Sequence, residues 1–274
     1  MDILLQEALP LVLMMLVTGV VGGLLAGLLG VGGGIVIVPM LELALTILDV
    51  DPAIRMHVAV ATSLAIIIPT SIASTRAHHE KGAVDFALLR SWGVPVLIGS
   101  TLGTWIASQV DSNTLAAIFA LVALLVAVKM MLPLENKTLA SSVPTGLLGA
   151  TIPLSIGTLS SMMGIGGGTF SVSILTLMSK PIHKAVGTAA LFGLLISLPG
   201  SVGFIISGWG HPSLPVASLG FVNIIGFALI APMTVIAAPY GAKMAHALSQ
   251  RSLSIAFGIF LFLVGIRMLY RAII

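Results

Sequence analysis

Gly30-Val31-Gly32-Gly33-Gly34 lies inside one long apolar run (residues 8–48) and returns as Gly164-Ile165-Gly166-Gly167-Gly168 inside another (residues 143–179). Each glycine weakens a helix by about 1 kcal/mol relative to alanine. Each cluster therefore predicts a break in an otherwise helical run. The match continues downstream. His57-Val58-Ala59-Val60-Ala61-Thr62 aligns with His183-Lys184-Ala185-Val186-Gly187-Thr188, and Gly103 and Ala107 align with Gly241 and Ala245. Leu115, Phe119, Lys129 and Met130 align with Leu253, Phe257, Arg267 and Met268. Matched blocks in one order imply duplication, with repeats over residues 1–140 and 141–274 joined in the polar stretch Leu134–Val143.

Only 8% of the 274 residues are charged and 58% are hydrophobic. A soluble domain carries about a quarter of its residues as charges, so most of this surface must face lipid. Eight apolar runs (8–48, 57–75, 86–108, 113–133, 143–179, 184–207, 214–240 and 251–270) are long and nearly uncharged. About 20 apolar residues cross a bilayer core as a helix. Transmembrane β-strands would instead alternate in polarity over about ten residues. The expected fold is all-α and polytopic, with about eight hydrophobic segments. No basic stretch precedes the first run, so that segment is expected to remain in the mature protein. There is no cysteine. The basic residues are scattered, which does not fit nucleic-acid binding.

The charges choose a topology. If all eight runs cross, Arg76, Lys81, Arg90, Lys129, Lys137, Arg267 and Arg271 share one side, against Arg55, Lys180, Lys184, Lys243 and Arg251. If the first and fifth runs instead turn back at their glycines, only Arg55, Arg267 and Arg271 oppose the other nine. The second arrangement obeys the positive-inside rule. It makes the repeats inverted, each with a glycine-tipped helical hairpin.

Irregular backbone within a membrane must be buried in protein or line a wet cavity. A helix that starts after each cluster offers free N–H groups and a positive dipole end. Two such ends at the midplane would hold an anion without a buried lysine or arginine. The expected site comprises Gly32, Gly33 and Gly34 with Gly166, Gly167 and Gly168. Thr62, Ser63, Thr169 and Thr188 would act as hydroxyl donors, with Ser160, Ser161 and Ser171 nearby. Neither cluster is followed by Lys-Ser or Lys-Thr, so a nucleotide loop is not supported. Gly23 and Gly27 read as a helix contact.

Other residues carry two readings each. His57 and His183 are either proton-responsive gates or interfacial histidines satisfied by water or a carbonyl. Glu42 either binds a coupling cation or reaches the membrane boundary. Asn223 either faces the cavity or joins helices. His78-His79-Glu80-Lys81 reads as a solvated loop, since no third metal ligand is in view. Trp92, Trp105 and Trp209 read as interfacial anchors. No nucleophile motif or paired intramembrane carboxylate appears, so no enzyme, metal or cofactor is expected.

The double glycine motif, from Gly27 through Pro39 and again from Gly164 to Gly168, resembles the TauE/SafE family, as do the His-x-Ala-Val-x-Thr segments at His57 and His183. The resemblance implies a multi-pass inner-membrane exporter of small sulfur-containing anions such as sulfite, sulfoacetate or related organosulfonates. It would work by alternating access, with the glycine and His/Thr segments on the pathway. Small-residue faces suit a homodimer. The rivals are a cation-coupled anion importer using Glu42 and a non-transporting membrane scaffold.

Overall fold

The computed structural model describes residues 2–30, 32–132, 146–244 and 250–273. The expected join at 134–143, Val31, Lys137 and Ala245 lie outside them. The first part holds α1 (Asp2–Leu29), α2 (Gly34–Ile47), α3 (Pro52–His79), α4 (Phe86–Gln109) and α5 (Ser112–Met131). The second holds α6 (Gly146–Met162), α7 (Gly168–Leu177), α8 (Ile182–Ser207), α9 (Ile224–Met244) and α10 (Gln250–Ile273). Two-residue strands β1 (Ser218–Leu219) and β2 (Val222–Asn223) pair antiparallel before α9.

Among the described residues, six helices are long and apolar enough to cross a membrane: α1 over Leu9–Leu29, α3, α4, α5, α8 and α9. Each glycine-bearing run divides at its cluster into a longer helix and a short one. Helices α2 and α7 have only 14 and 10 residues, too few to span. The centre is α3 with α8. Of the hydropathic window of α3, 72% is buried, the highest share among the six, which places it innermost. Side chains such as Leu125, Ile206 and Trp105 stand out from the periphery, where lipid is their natural solvent.

Helices approach closely where side chains are missing. Helix α1 packs most extensively on α9, and α6 on α4. A methyl group on Gly23 would lie 2.6 Å from the Thr234 carbonyl oxygen, and one on Gly27 would run into that of Ala238. Gly99 and Gly103 meet the carbonyls of Leu154 and Thr158 on α6 in the same way. This close backbone approach is what membrane helices use in place of a hydrophobic drive between them. It accounts for the expected contact role of Gly23 and Gly27.

Two expectations fail here. Trp92 is no interfacial anchor: it is 1% exposed and stacks on Phe192 with 6.1 Å between ring centroids. Trp105 and Trp209 are exposed as an anchor requires. His78 is not in a solvated loop but in the last turn of α3, 4% exposed, with Nε2 3.1 Å from the Gly27 carbonyl oxygen. Helix α3 runs on about one turn past its apolar stretch, which buries the histidine against the end of α1.

Gly99→Ala is expected to destabilise the detergent-purified protein by about 1–3 kcal/mol, the usual cost of overpacking. Gly93→Ala in the same helix meets only ordinary contacts, the nearest at 3.6 Å from Leu195, and should leave the melting temperature within a degree or two of the parent.

Candidate functional site

The two glycine clusters share their first and capping turns and differ between them, where Gly32 has a φ of 73° and Gly166 is not left-handed. Gly30 and Gly164 both have φ of 66°. Gly33 and Gly167, the N-caps of α2 and α7, have φ/ψ of 75°/−13° and 71°/−10°. These are left-handed angles that glycine adopts without strain. Neither cap is closed by a side chain. The first bonds within the helices run from Val36 and Ile37 N–H to the Gly33 carbonyl, and from Ser171 N–H to that of Gly167. The earlier N–H groups of each first turn precede that ladder and carry the positive dipole end.

The clusters also touch. A methyl on Gly32 would sit 3.3 Å from the Gly166 Cα, and one on Gly34 would sit 3.0 Å from the Ile165 Cα and run into the Gly164 carbonyl. Ile67 of α3 seals the seam, its side chain 2.9 Å from where a Gly166 or Gly34 methyl would be. The interrupted backbone is closed in this conformation, main chain against main chain. The open pocket lies elsewhere, at the far end of α2, with a volume of about 140 Å³.

Hydroxyls distinguish the two helix tips. Ser160 and Ser171 are fully buried and Thr169 is 8% exposed, and the oxygen of each lacks a hydrogen-bond partner. Ser160 Oγ lies 3.5 Å from where a Gly167 methyl would project. Ser71 Oγ of α3, also buried and unpartnered, packs on Gly193, which in turn touches the Gly166 carbonyl. The positions matching Ser160, Thr169 and Ser171 around the first cluster are Ala26, Ile35 and Ile37. Of the two tips, that of α7 is the one with buried, unpartnered hydroxyls; other such atoms lie elsewhere, among them Ser74, Thr75 and Ser201. Sequence reasoning missed Ser71, although a signal existed: Ser71 and Ser197 each stand 14 residues after the matched histidines.

The other expected hydroxyls have partners within the protein. Thr62 Oγ1 accepts from the Asn223 N–H (2.9 Å), and Thr188 Oγ1 accepts from the Asp85 N–H (2.9 Å). Asp85 and Asn223 are themselves first-turn caps, of α4 and α9, accepting from Leu88 and Gly226 N–H. Each threonine therefore fixes the start of a helix in the other part of the chain. Ser63 donates to the Gly164 carbonyl at 2.8 Å and pins the second cluster to α3. Asn223 is a cap rather than a cavity wall, with Nδ2 also reaching the Val216 carbonyl at 3.2 Å.

The matched histidines differ. His57 is buried, its Nε2 3.1 Å from the carbonyl oxygens of both Ala107 and Val110, whereas His183 is exposed. Glu42 is not free to take a cation. Its carboxylate accepts from Arg271 at 2.6 Å and from Arg267 at 3.3 Å. Two guanidinium groups already supply its countercharge. Among the described residues no cluster suited to a metal is present.

Among the described residues, six span-length apolar helices, packed with two short, glycine-capped ones, define a multi-pass helical membrane protein. Residues 15–268 match the family described as Sulfite exporter TauE/SafE, and the chain belongs to that family; it is a membrane transporter embedded in a lipid bilayer. It is 34% identical to a probable membrane transporter protein of Haemophilus influenzae over 94% of this chain and 97% of that one. It is 27% identical to the probable membrane transporter protein YunE of Bacillus subtilis, over 94% and 97% of the two chains. A probable membrane transporter protein of Methanocaldococcus jannaschii is 24% identical over 96% and 97%. No solved structure matches the chain.

The Asp85 carboxylate is held below its usual range chiefly by the hydrogen bond from Lys180 (2.9 Å). A depressed folded value stabilises the fold above the unfolded value of 3.8 and loses that stability as pH falls below it. Lys180→Met is expected to cost about 1 kcal/mol at pH 6. The gap from the parent should narrow in melts taken at pH 3.

Proposed function

We propose that the protein exports small sulfur oxyanions, of the class of sulfite, sulfoacetate and related organosulfonates, across the cell inner membrane. The anion is held at the N-terminal tip of α7. The observation that carries this reading is a set of buried hydroxyls without partners, Ser160, Thr169 and Ser171, at a helix start that no side chain caps, with the unpartnered Ser71 packed on Gly193 beside the cluster. Buried hydroxyls without partners cost about 1–3 kcal/mol each, a cost that a visiting oxyanion would offset. Neutral donors bind such an anion without the deep trap that a buried lysine would create. The match to a family described as sulfite exporter supports the sulfur class and the outward direction.

Two inverted repeats, divided near residue 140, supply the mechanism. The contacts support them: exchanging α1–α5 for α6–α10 converts the α1–α9 pair into α6–α4 and returns α3–α8 and α5–α10 to themselves. The charges support them too. Eight full crossings would put Arg55 and Arg271 on opposite sides of the membrane, yet both line one pocket. They would likewise part Lys180 from the α3–α4 loop, whose Asp85 it pairs with. Turning back at the glycines keeps both groups together, with the lysine-rich side in the cytoplasm. Alternating access is then a parting of the sealed glycine clusters toward one side or the other, around the fixed α3–α8 pair.

In proteoliposomes loaded with radiolabelled sulfite, the Ser160→Ala/Ser171→Ala double variant is expected to lower efflux about tenfold or more, since each lost bond to a charged ligand is worth about 1.5–3 kcal/mol. Ser161→Ala, whose hydroxyl is spent on the Thr158 carbonyl, should retain parental efflux. Unaltered efflux in the double variant would remove the anion from the α7 tip. Absence of sulfite and sulfoacetate efflux from the parent protein would remove the substrate class.

A further inference from the structure

The pocket at the far end of α2 has chemistry that the glycine site does not use. It is walled by α2, α3, α5 and α10, with Arg55 and Arg271 as its cations and Glu42 as its acid. Arg55 is 8% exposed, unusually buried for an arginine. Its Nε and Nη2 are 3.1 and 2.6 Å from the Val50 carbonyl oxygen, which fixes the guanidinium plane. Its Nη1 has no hydrogen-bond partner among the described residues. Across the pocket, the Arg271 Nη1 is shared between Glu42 Oε1 (2.6 Å) and Thr46 Oγ1 (2.7 Å). Asp51 and Asp111, the nearby acids, accept N–H bonds as the caps of α3 and α5. The Ser112 hydroxyl at the start of α5 accepts the Met56 N–H.

Two held guanidinium groups line one pocket of about 140 Å³, and one of them, Arg271, already holds a tethered oxyanion, the Glu42 carboxylate. We propose that this pocket is a second anion site, taking a small oxyanion between Arg55 and Arg271 in competition with the Glu42 carboxylate. Arginine suits the task because its planar donors take two oxygens at once and stay charged. The consequence is mechanical. Glu42 is the clasp between α2 and the end of α10, and it lies eight residues from Gly34, about 12 Å along the helix. An anion that draws Arg271 away leaves Glu42 only the longer bond from Arg267 (3.3 Å) and so slackens the hold on α2, the helix whose first residue, Gly34, lies in the glycine seam. Binding here therefore loosens the seam, and closing the seam expels the bound anion. The site stands on its own residues and does not depend on the α7 tip being the transport site.

The test uses full-length purified protein and radiolabelled sulfate in a scintillation-proximity assay, with Gly167→Leu present throughout to fill the α7 tip. Sulfate binding should persist in that background. Arg55→Gln and Arg271→Gln should each weaken it at least tenfold, and Glu42→Gln should tighten it severalfold by removing the competitor. Glu42→Asp, which retracts the carboxylate by one methylene while keeping its charge, should tighten it too and serves if the glutamine variant does not fold. Loss of sulfate binding in the Gly167→Leu background would overturn the second site while leaving the α7 reading intact. So would Glu42 variants that bind no better than the parent. In nanodiscs, displacement of sulfate by phosphatidylglycerol but not phosphatidylcholine would make a lipid phosphate the occupant. Sulfate binding indifferent to the lipid would make it a free anion. Either result keeps the site.

Discussion

Every peptide group in the apolar interior of a membrane needs a hydrogen-bond partner, and this chain breaks its helices there twice. The rest of the structure follows from how those breaks are enclosed. The two glycine clusters lie backbone to backbone, a contact that any side chain at Gly32 or Gly34 would disturb. Helix α3 covers the seam with Ile67 and ties it with the Ser63 hydroxyl. The threonines of α3 and α8 then set the starting points of α9 and α4, so the helices that enclose the seam are fixed by the pair that supports it. Glycine serves in two ways: as a left-handed cap at Gly33 and Gly167, and as a gap that lets α1 reach α9 and α6 reach α4.

The sequence was most legible where the physics is local. Apolar length, the cost of consecutive glycines and the lack of charges located the helices and their interruptions without any partner being known. It was least legible where a residue's meaning depends on something distant. Glu42 looked isolated because its arginines stand 225 and 229 positions away. Trp92 looked interfacial because nothing local marks Phe192 as its stacking partner. Thr62 and Thr188 were read as matched hydroxyl donors, but the N–H groups that they accept from could not be assigned. Each bonds to the chain just before a helix start, 161 and 103 positions away. Ser160, Thr169 and Ser171 were noticed as hydroxyls near glycine, yet only packing shows that they are buried and left without partners.

The departure from symmetry says more about function than the symmetry does. The two glycine clusters share their left-handed caps and pack reciprocally, main chain against main chain. A ligand needs only one lining. Hydroxyls buried around both tips would double a desolvation cost of about 1–3 kcal/mol for each unpartnered group. A single anion could offset only the set it touches. The chain instead carries Ala26, Ile35 and Ile37 at one tip and Ser160, Thr169 and Ser171 at the matched positions of the other. The apolar tip can close dry against its neighbours, while the hydroxylated tip remains unmet until something polar arrives. On the proposed export reading, one half serves as the seal and the other as the receptor. That division of labour is what a carrier needs if its closed state is to be stable without cargo and its cargo is to have one place to sit.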